Sequence, residues 1–386
     1  MRIVFATESY YPNIDGGAVA EHNLAIELAK NGHDVSILAP AANFSSYTEK
    51  DKNTTIYRRH AYTWPFYKDY KVSPFPAIGI GRIIKEFKPD VVHLHNPWAI
   101  GTTALLYAKY KGIPIVGSNH LQPENLVMHI AKTRFLFRVL ERGGWRFLVG
   151  FYNLCDHVVS PTQTAVNMLL DNGLNVSATP ISNGIDFEIF NPKNDPGKLQ
   201  KRYQLPAKPK VLYTGRISGE KRLDVWVKAA KKVLEEIECH FIICGGGREK
   251  ESLCNMVKEL GISDNVTLTG FIPEEDFPGI YALADLFAIS SEAELQSIVT
   301  MEALATGLPV VATNKDALPE LVHDGKNGFL FTPGDADDMA RKIIKILASK
   351  ELRKTMGKES LKIIQKHSLS SVVCQFEDVY KKAIKS

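Results

Sequence analysis

Glu294 and Glu302 stand eight residues apart, where an apolar strand gives way to a polar loop and then to a helix beginning near Gln296. The spacing places Glu294 just ahead of that helix and Glu302 in its second turn. The first turn of a helix leaves backbone N–H groups unpaired and favours negative charge, so Gln296, Ser297 and Ile298 offer a place for a phosphate. The two carboxylates can accept hydrogen bonds from hydroxyls. A nucleotide sugar carries both kinds of group. Spacing alone does not decide the matter, because two helix glutamates are commonly solvated charges.

A second pair lies upstream. Arg216 and Lys221 follow the apolar run Val211–Thr214 and straddle a turn containing Gly219. An Arg fork and a Lys point charge can meet one diphosphate and offset the negative charge that builds as it departs. Glycines stand at several strand ends: Gly16 and Gly17, Gly215, and Gly245-Gly246-Gly247. Such glycines allow the backbone to approach a diphosphate, and they equally serve as tight turns. No G-x-G-x-x-G opens the first helix, which argues against a dehydrogenase. His120 ends a strand-like region, with His93, His95 and His129 as its competitors. Phe271 and Ile272 follow another strand end, where they can flank a base or fill the core.

These residues need a scaffold. Short apolar runs at Arg2–Thr7, Asp34–Leu38, Val91–Leu94, Ile113–Gly117 and His157–Ser160 each lead into a turn and a helical pattern, the first helix beginning near Ala18. The alternation restarts at Val211 and continues through His240–Cys244, Val266–Thr269, Leu286–Ile289 and Val310–Ala312. Strands alternating with helices imply a parallel sheet covered on both faces, and ligands bind beyond the carboxyl ends of its strands. The expected organisation is an N-terminal acceptor-binding domain over 1–190, a Pro-rich and charged linker over 191–209, and a donor domain over 210–366. A C-terminal helix at 367–386 can pack on either domain, a return to the N-terminal one included.

Composition narrows the classes. The 386 residues carry a net charge of only +4, which supports no general attraction to nucleic acid. The five cysteines form no Cys-x-x-Cys pair, which argues for a reducing compartment over a disulfide or zinc framework. Asp335-Ala336-Asp337-Asp338 reads as a helix N-cap in preference to a metal site. The apolar runs are too short to cross a bilayer. No metal or separate cofactor is expected, and the expected location is cytoplasmic, with peripheral attachment to a membrane left open.

The ordered motifs resemble the retaining glycosyltransferases of family 4, two-Rossmann-domain enzymes of GT-B fold whose parallel sheets face across a cleft. The resemblance covers essentially the whole chain. It runs through Asp15-Gly16-Gly17, Asn119-His120, Ser182-Asn183-Gly184-Ile185-Asp186 with Phe190, Tyr213-Thr214-Gly215-Arg216-Ile217-Ser218-Gly219-Glu220-Lys221 and the Gly245-Gly246-Gly247 turn, then Gly270-Phe271-Ile272, the E-x7-E segment and Gly325-Lys326-Asn327-Gly328-Phe329. It implies a metal-independent hexosyltransferase in which Glu294 binds sugar hydroxyls, Glu302 binds the ribose and His120 faces the donor sugar and its phosphate. A UDP-sugar is favoured over a GDP-sugar. Gln296-Ser297 stands where an aromatic-glycine pair is usual, which leaves the sugar open. The competing classes are a nucleotide-sugar epimerase or hydrolase on the same scaffold and a non-catalytic binding protein.

One segment speaks to the acceptor. Between Lys132 and Arg146, Arg134, Arg138, Arg142 and Arg146 recur every four residues, accompanied by Phe135, Phe137, Trp145 and Phe147. A helix would align the arginines in a slowly drifting stripe, suited to an anionic membrane surface and a lipid acceptor such as diacylglycerol. The alternatives are a helix that buries its aromatics with its arginines in water, and a soluble or polysaccharide acceptor. Gly143-Gly144 is a point where the helix can break.

Overall fold

The computed structural model describes residues 1–11, 16–42, 44–64, 67–127 and 133–385. The chain divides into two compact units, one made of Met1–Gly184 with Leu369–Ser386 and the other of Ile185–Ser368.

The first unit holds β1 (Arg2–Ala6), β2 (Asp34–Pro40), β3 (Tyr47–Asp51), β4 (Thr54–Arg59), β5 (Tyr62–Trp64), β6 (Tyr67–Val72), β7 (Val91–Leu94), β8 (Ile115–Ser118), β9 (His157–Ser160) and β10 (Ala178–Pro180). Its main sheet runs in the order β10-β9-β8-β7-β1-β2-β4-β3, parallel except for the hairpin β3–β4. β5 and β6 pair separately. The order reverses at β1, which lies between β7 and β2. That reversal opens the crevice in which ligands of such sheets bind. The strands expected from sequence form the centre of the sheet, while β3–β6 and the edge strand β10 escaped notice. These are polar strands at or beyond the sheet's margin, with no continuous apolar run to reveal them.

The second unit holds β11 (Lys210–Thr214), β12 (His240–Cys244), β13 (Val266–Gly270), β14 (Leu286–Ile289), β15 (Val310–Thr313) and β16 (Gly328–Phe331). The order is β13-β12-β11-β14-β15-β16, all parallel, with the reversal at β11. Four of its strands have every residue buried, as expected for a sheet covered on both faces.

Two boundaries differ from the sequence expectation. Residues 191–209 belong to the second unit instead of forming a free linker, because the helix Gly197–Arg202 and the turn after it bury Leu199 and Leu205 in that unit's core. Gly16 and Gly17 are the first two residues of the helix Gly16–Lys30, not a loop before it. The final helix, Leu369–Lys385, belongs to the first unit, where Val372, Val373, Phe376 and Tyr380 join Phe5, Leu24 and Ile37 in one apolar cluster.

Candidate active site

In the second unit the strand reversal gathers three loops. Gly215 N–H donates to Cys244 O at 3.0 Å, Gly245 N–H to Gly270 O at 2.9 Å and Ile217 N–H to Gly246 O at 2.9 Å. The residues after β11, β12 and β13 are thereby laced edge to edge. Gly215 and Gly245 both sit at φ +135, and a Cβ on Gly245 would lie 2.0 Å from Gly215 O. Only glycine lets these two loops cross at that distance. Phe271 is 70% exposed and its ring lies over Gly246, where a Cβ would meet it at 2.7 Å. Ile272 instead leans on the core. Of the two residues expected to flank a base, only Phe271 offers a free ring face.

The charged residues converge on the same strand ends. Lys221 Nζ donates to Glu294 Oε1 at 2.6 Å, and both side chains are largely buried. Arg216 lies 3.5 Å from Glu220, and its own side chain is more than half exposed. Glu220 is therefore flanked by both cations. Burial pushes its carboxyl up, but the hydrogen bond from Ser218 and the two charges outweigh this and hold it below the usual range. The backbone is pinned as well: Glu292 N–H donates to Glu220 O at 3.0 Å, and Ser290 Oγ to Lys221 O at 2.8 Å.

The helix expected near Gln296 spans Ile298–Ala305 with Ser297 as its N-cap. Ser297 Oγ accepts from Thr300 N–H at 3.3 Å and from Thr300 Oγ1 at 2.8 Å. At φ −88 the position does not require glycine, so a serine that caps the helix is physically suited to it. Gln296 is buried beside it. Glu302 is buried in the second turn, where its Oε2 accepts from the Tyr281 hydroxyl at 2.5 Å. That hydroxyl also lies 2.7 Å from Thr214 Oγ1. Burial pushes the Glu302 carboxyl up to about 7, with the Tyr281 hydrogen bond opposing. Sequence reasoning missed Tyr281, and it met Glu220 only as a member of the motif that ends at Lys221, with no role assigned. Tyr281 lies 21 positions before Glu302, and only the fold joins them.

His120, Gly16 and Gly17 belong to the first unit. His120 follows β8, and its ring stacks on that of His95 with centroids 5.7 Å apart and planes 9° from parallel. Glu21, on the helix that Gly16 opens, lies 3.5 Å from His95 Nδ1. His93 is engaged elsewhere, with Ser118 Oγ and the Tyr380 hydroxyl each 2.7 Å from a ring nitrogen. Burial pushes both His93 and His95 well below the ordinary histidine range. Glu8, buried ahead of the helix Ala99–Lys111, accepts from Ile100 N–H at 2.9 Å, and burial raises its carboxyl to about 8. His129, Lys132 and Asp15 lie outside the described residues.

The arginine-rich segment forms one helix, Arg134–Tyr152, capped by Thr133. Gly143-Gly144 does not break it. A Cβ on Gly144 would come within 2.8 Å of Pro123, so that glycine allows close approach of the neighbouring helix Pro123–Val127. The aromatics divide: Trp145 is buried and donates to Glu124 Oε1 at 2.9 Å, whereas Phe135 is 80% and Phe147 53% exposed. Arg134, Arg138, Arg142 and Arg146 are all exposed, each followed in sequence by Phe135, Val139, Gly143 or Phe147, also exposed. Among the described residues no helix is long and apolar enough to cross a membrane. Asp335 caps the helix Ala336–Leu347 by accepting from Asp338 N–H.

Residues 14–189 match the family described as Glycosyltransferase Family 4, and residues 197–362 match Glycosyl transferases group 1. The chain is 27% identical over 372 residues to sulfoquinovosyl transferase SQD2 of Arabidopsis thaliana, covering 94% of this chain and 70% of that one. It is also 27% identical over 394 residues to the alpha-monoglucosyldiacylglycerol synthase of Streptococcus pneumoniae, covering 97% and 85%. Among solved structures it is similar to Anabaena HepE in complex with UDP and glucose, with a TM-score of 0.78 at 19% identity over 99% of this chain and 100% of that one. Two parallel-sheet units, strand-end loops laced by glycines and two family matches covering nearly the whole length make this chain a GT-B glycosyltransferase of the group 1 and family 4 type.

Proposed function

We propose that the chain is a retaining hexosyltransferase that moves a sugar from a nucleotide-sugar donor, a UDP-sugar first, to a hydroxyl of a membrane lipid such as diacylglycerol, without a metal ion. The observation that carries this reading is the buried pair of Lys221 and Glu294 beside the exposed Arg216 at the strand reversal. A diphosphate arriving there draws Lys221 and Arg216 to its oxygens, and Glu294 is released to accept from sugar hydroxyls. Glu302, already accepting from Tyr281, takes the ribose hydroxyls. The N–H groups behind Ser297 face phosphate, and Phe271 covers the base.

Chemistry then rests on position and on stabilising the leaving group. The donor phosphate takes the acceptor proton on the face from which it departs, and Lys221 and Arg216 neutralise the diphosphate as its bond to the anomeric carbon lengthens. The similarity to HepE in complex with UDP and glucose supports the UDP-sugar, and the likeness to a glucosyldiacylglycerol synthase supports the lipid. The helix Arg134–Tyr152 supports attachment to an anionic surface, at the cytoplasmic face, through exposed arginines beside exposed Phe135, Val139 and Phe147. Thermal-shift screening against UDP-, GDP- and ADP-sugars, then product analysis with diacylglycerol vesicles, tests the proposal. Sugar consumed without a glycosylated product would instead identify an epimerase or hydrolase.

A further inference from the structure

We infer that Glu21, His95 and His120 form a three-ligand site for a divalent transition-metal ion of the zinc class. One ligand atom from each of the three lies within 4.8 Å of the others. A tetrahedral ion bound at ~2.1 Å sets its ligand atoms ~3.4 Å apart, so closing the site brings side chains together by at most about 1.4 Å. His95 Nδ1 and Glu21 Oε1 are at 3.5 Å already. Two histidines and one carboxylate are a recurrent zinc donor set that leaves a fourth position open, and imidazole selects zinc-like ions over magnesium or calcium.

His95 points to the ion. It is 2% exposed, and among the described residues neither ring nitrogen has a hydrogen-bond partner. The adjacent His93, equally buried, has both nitrogens engaged, by Ser118 and Tyr380. Buried polar atoms in a folded protein are usually paired, and an unpaired imidazole beside a carboxylate and a second imidazole is one that an ion would satisfy. The ligands also stand on fixed supports. His95 N–H donates to Ala6 O at 3.1 Å, Asn119 N–H next to His120 donates to Val159 O at 2.8 Å, and Glu21 lies on the helix Gly16–Lys30.

A bound ion takes a nitrogen of His120, the residue that the transferase reading turns toward the donor, so the ion blocks transfer. This consequence rests on that reading; the site itself does not. The test uses full-length, untagged, chelator-treated protein carrying Cys374→Ser, which removes the exposed thiol as a competing ligand. Cobalt(II) chloride is titrated and the visible absorption of four-coordinate cobalt followed. One equivalent should saturate the signal and zinc should displace it, with Glu21→Gln and His95→Gln each weakening binding at least ~10-fold. Melting curves establish that both variants are folded; if neither is, the titration of the parent decides. Absence of a saturable one-equivalent signal, or unaltered binding in both folded variants, overturns the site. UDP-sugar turnover is then compared in zinc and in EDTA. Zinc should slow it at least ~10-fold, reversibly. Equal rates with zinc bound overturn the blocking role, and inactivity in both buffers refutes the transferase reading while the cobalt titration still judges the site.

Discussion

Lys221 Nζ and Glu294 Oε1, 2.6 Å apart, tie the loop after β11 to the loop after β14 across the point where the strand order of the second sheet reverses. Under the proposed function the donor opens this pair, its diphosphate taking the lysine and its hydroxyls the carboxylate. Lys221→Ala and Arg216→Ala should each lower kcat by about 10²-fold, the scale of losing one preorganised electrostatic donor. Near-normal kcat in both, measured with saturating donor, would remove them from the mechanism.

The same pair predicts a split between stability and turnover. Lys221→Ala leaves Glu294 largely buried without its cation and should cost about 1–3 kcal/mol in urea unfolding. Adding Glu294→Gln should restore most of that loss but none of the turnover. A double variant as unstable as the single one would show that the pair is not the source of the loss.

Glu302 sets a pH dependence. Its carboxyl lies at about 7 in the fold against 4.5 unperturbed, raised by burial. A raised carboxyl contributes its full stability below the unfolded value and loses it as pH rises through the folded one. Glu302→Gln should therefore melt higher than the parent at pH 8, by roughly 3 kcal/mol of stability, and the gap should close near pH 4.5. In the proposed function ribose hydroxyls donate to the ionised form, so UDP affinity should rise between pH 6 and 8 and flatten in Glu302→Gln. Calorimetry in buffers of different ionisation enthalpy reads the released proton, and UDP binding with no proton release at pH 7 would contradict this assignment.

Gly245→Ala should be far more disruptive than Gly261→Ala. Both positions have positive φ, but the added methyl at Gly245 meets Gly215 O at 2.0 Å, whereas at Gly261 nothing among the described residues lies within 4 Å. The first should lose more than about 2 kcal/mol and most donor affinity; the second only the smaller cost of backbone strain. Equal losses in denaturation would deny the crossing of the two loops a special role.

What was legible in the sequence was what repeats or lies close along the chain. Val91–Leu94, His157–Ser160, His240–Cys244 and Leu286–Ile289 are strands at the expected residues because buried parallel strands read as apolar runs. Arg216, Lys221, Glu294 and Glu302 stood out by type and motif. Tyr281 against Glu302 and the Glu21–His95 contact did not, since each joins residues that only the fold brings together, and Glu220, although close to both cations along the chain, carried no sign in its residue type that it would lie buried against them. The hydroxyl of Ser297 as a cap, and the tight fit of Gly144 on Pro123, are likewise facts of backbone position.

The exposed stripe on Arg134–Tyr152 makes a separable prediction. Replacing Arg134, Arg138 and Arg142 with Glu should abolish co-sedimentation with anionic vesicles, and Phe135→Ser with Phe147→Ser should weaken it without changing its salt dependence. UDP binding should be untouched in both. Retained sedimentation of the charge-reversed protein would end the membrane proposal.

The central claim is tested most directly by the product. The protein is incubated with UDP-glucose and diacylglycerol vesicles in EDTA, and the glycolipid is read by proton NMR. The expected result is an α-linked product formed at the same rate with and without chelator, with one UDP released per sugar moved. A β-linked product, a rate abolished by EDTA, or hydrolysis with no glycolipid would contradict it.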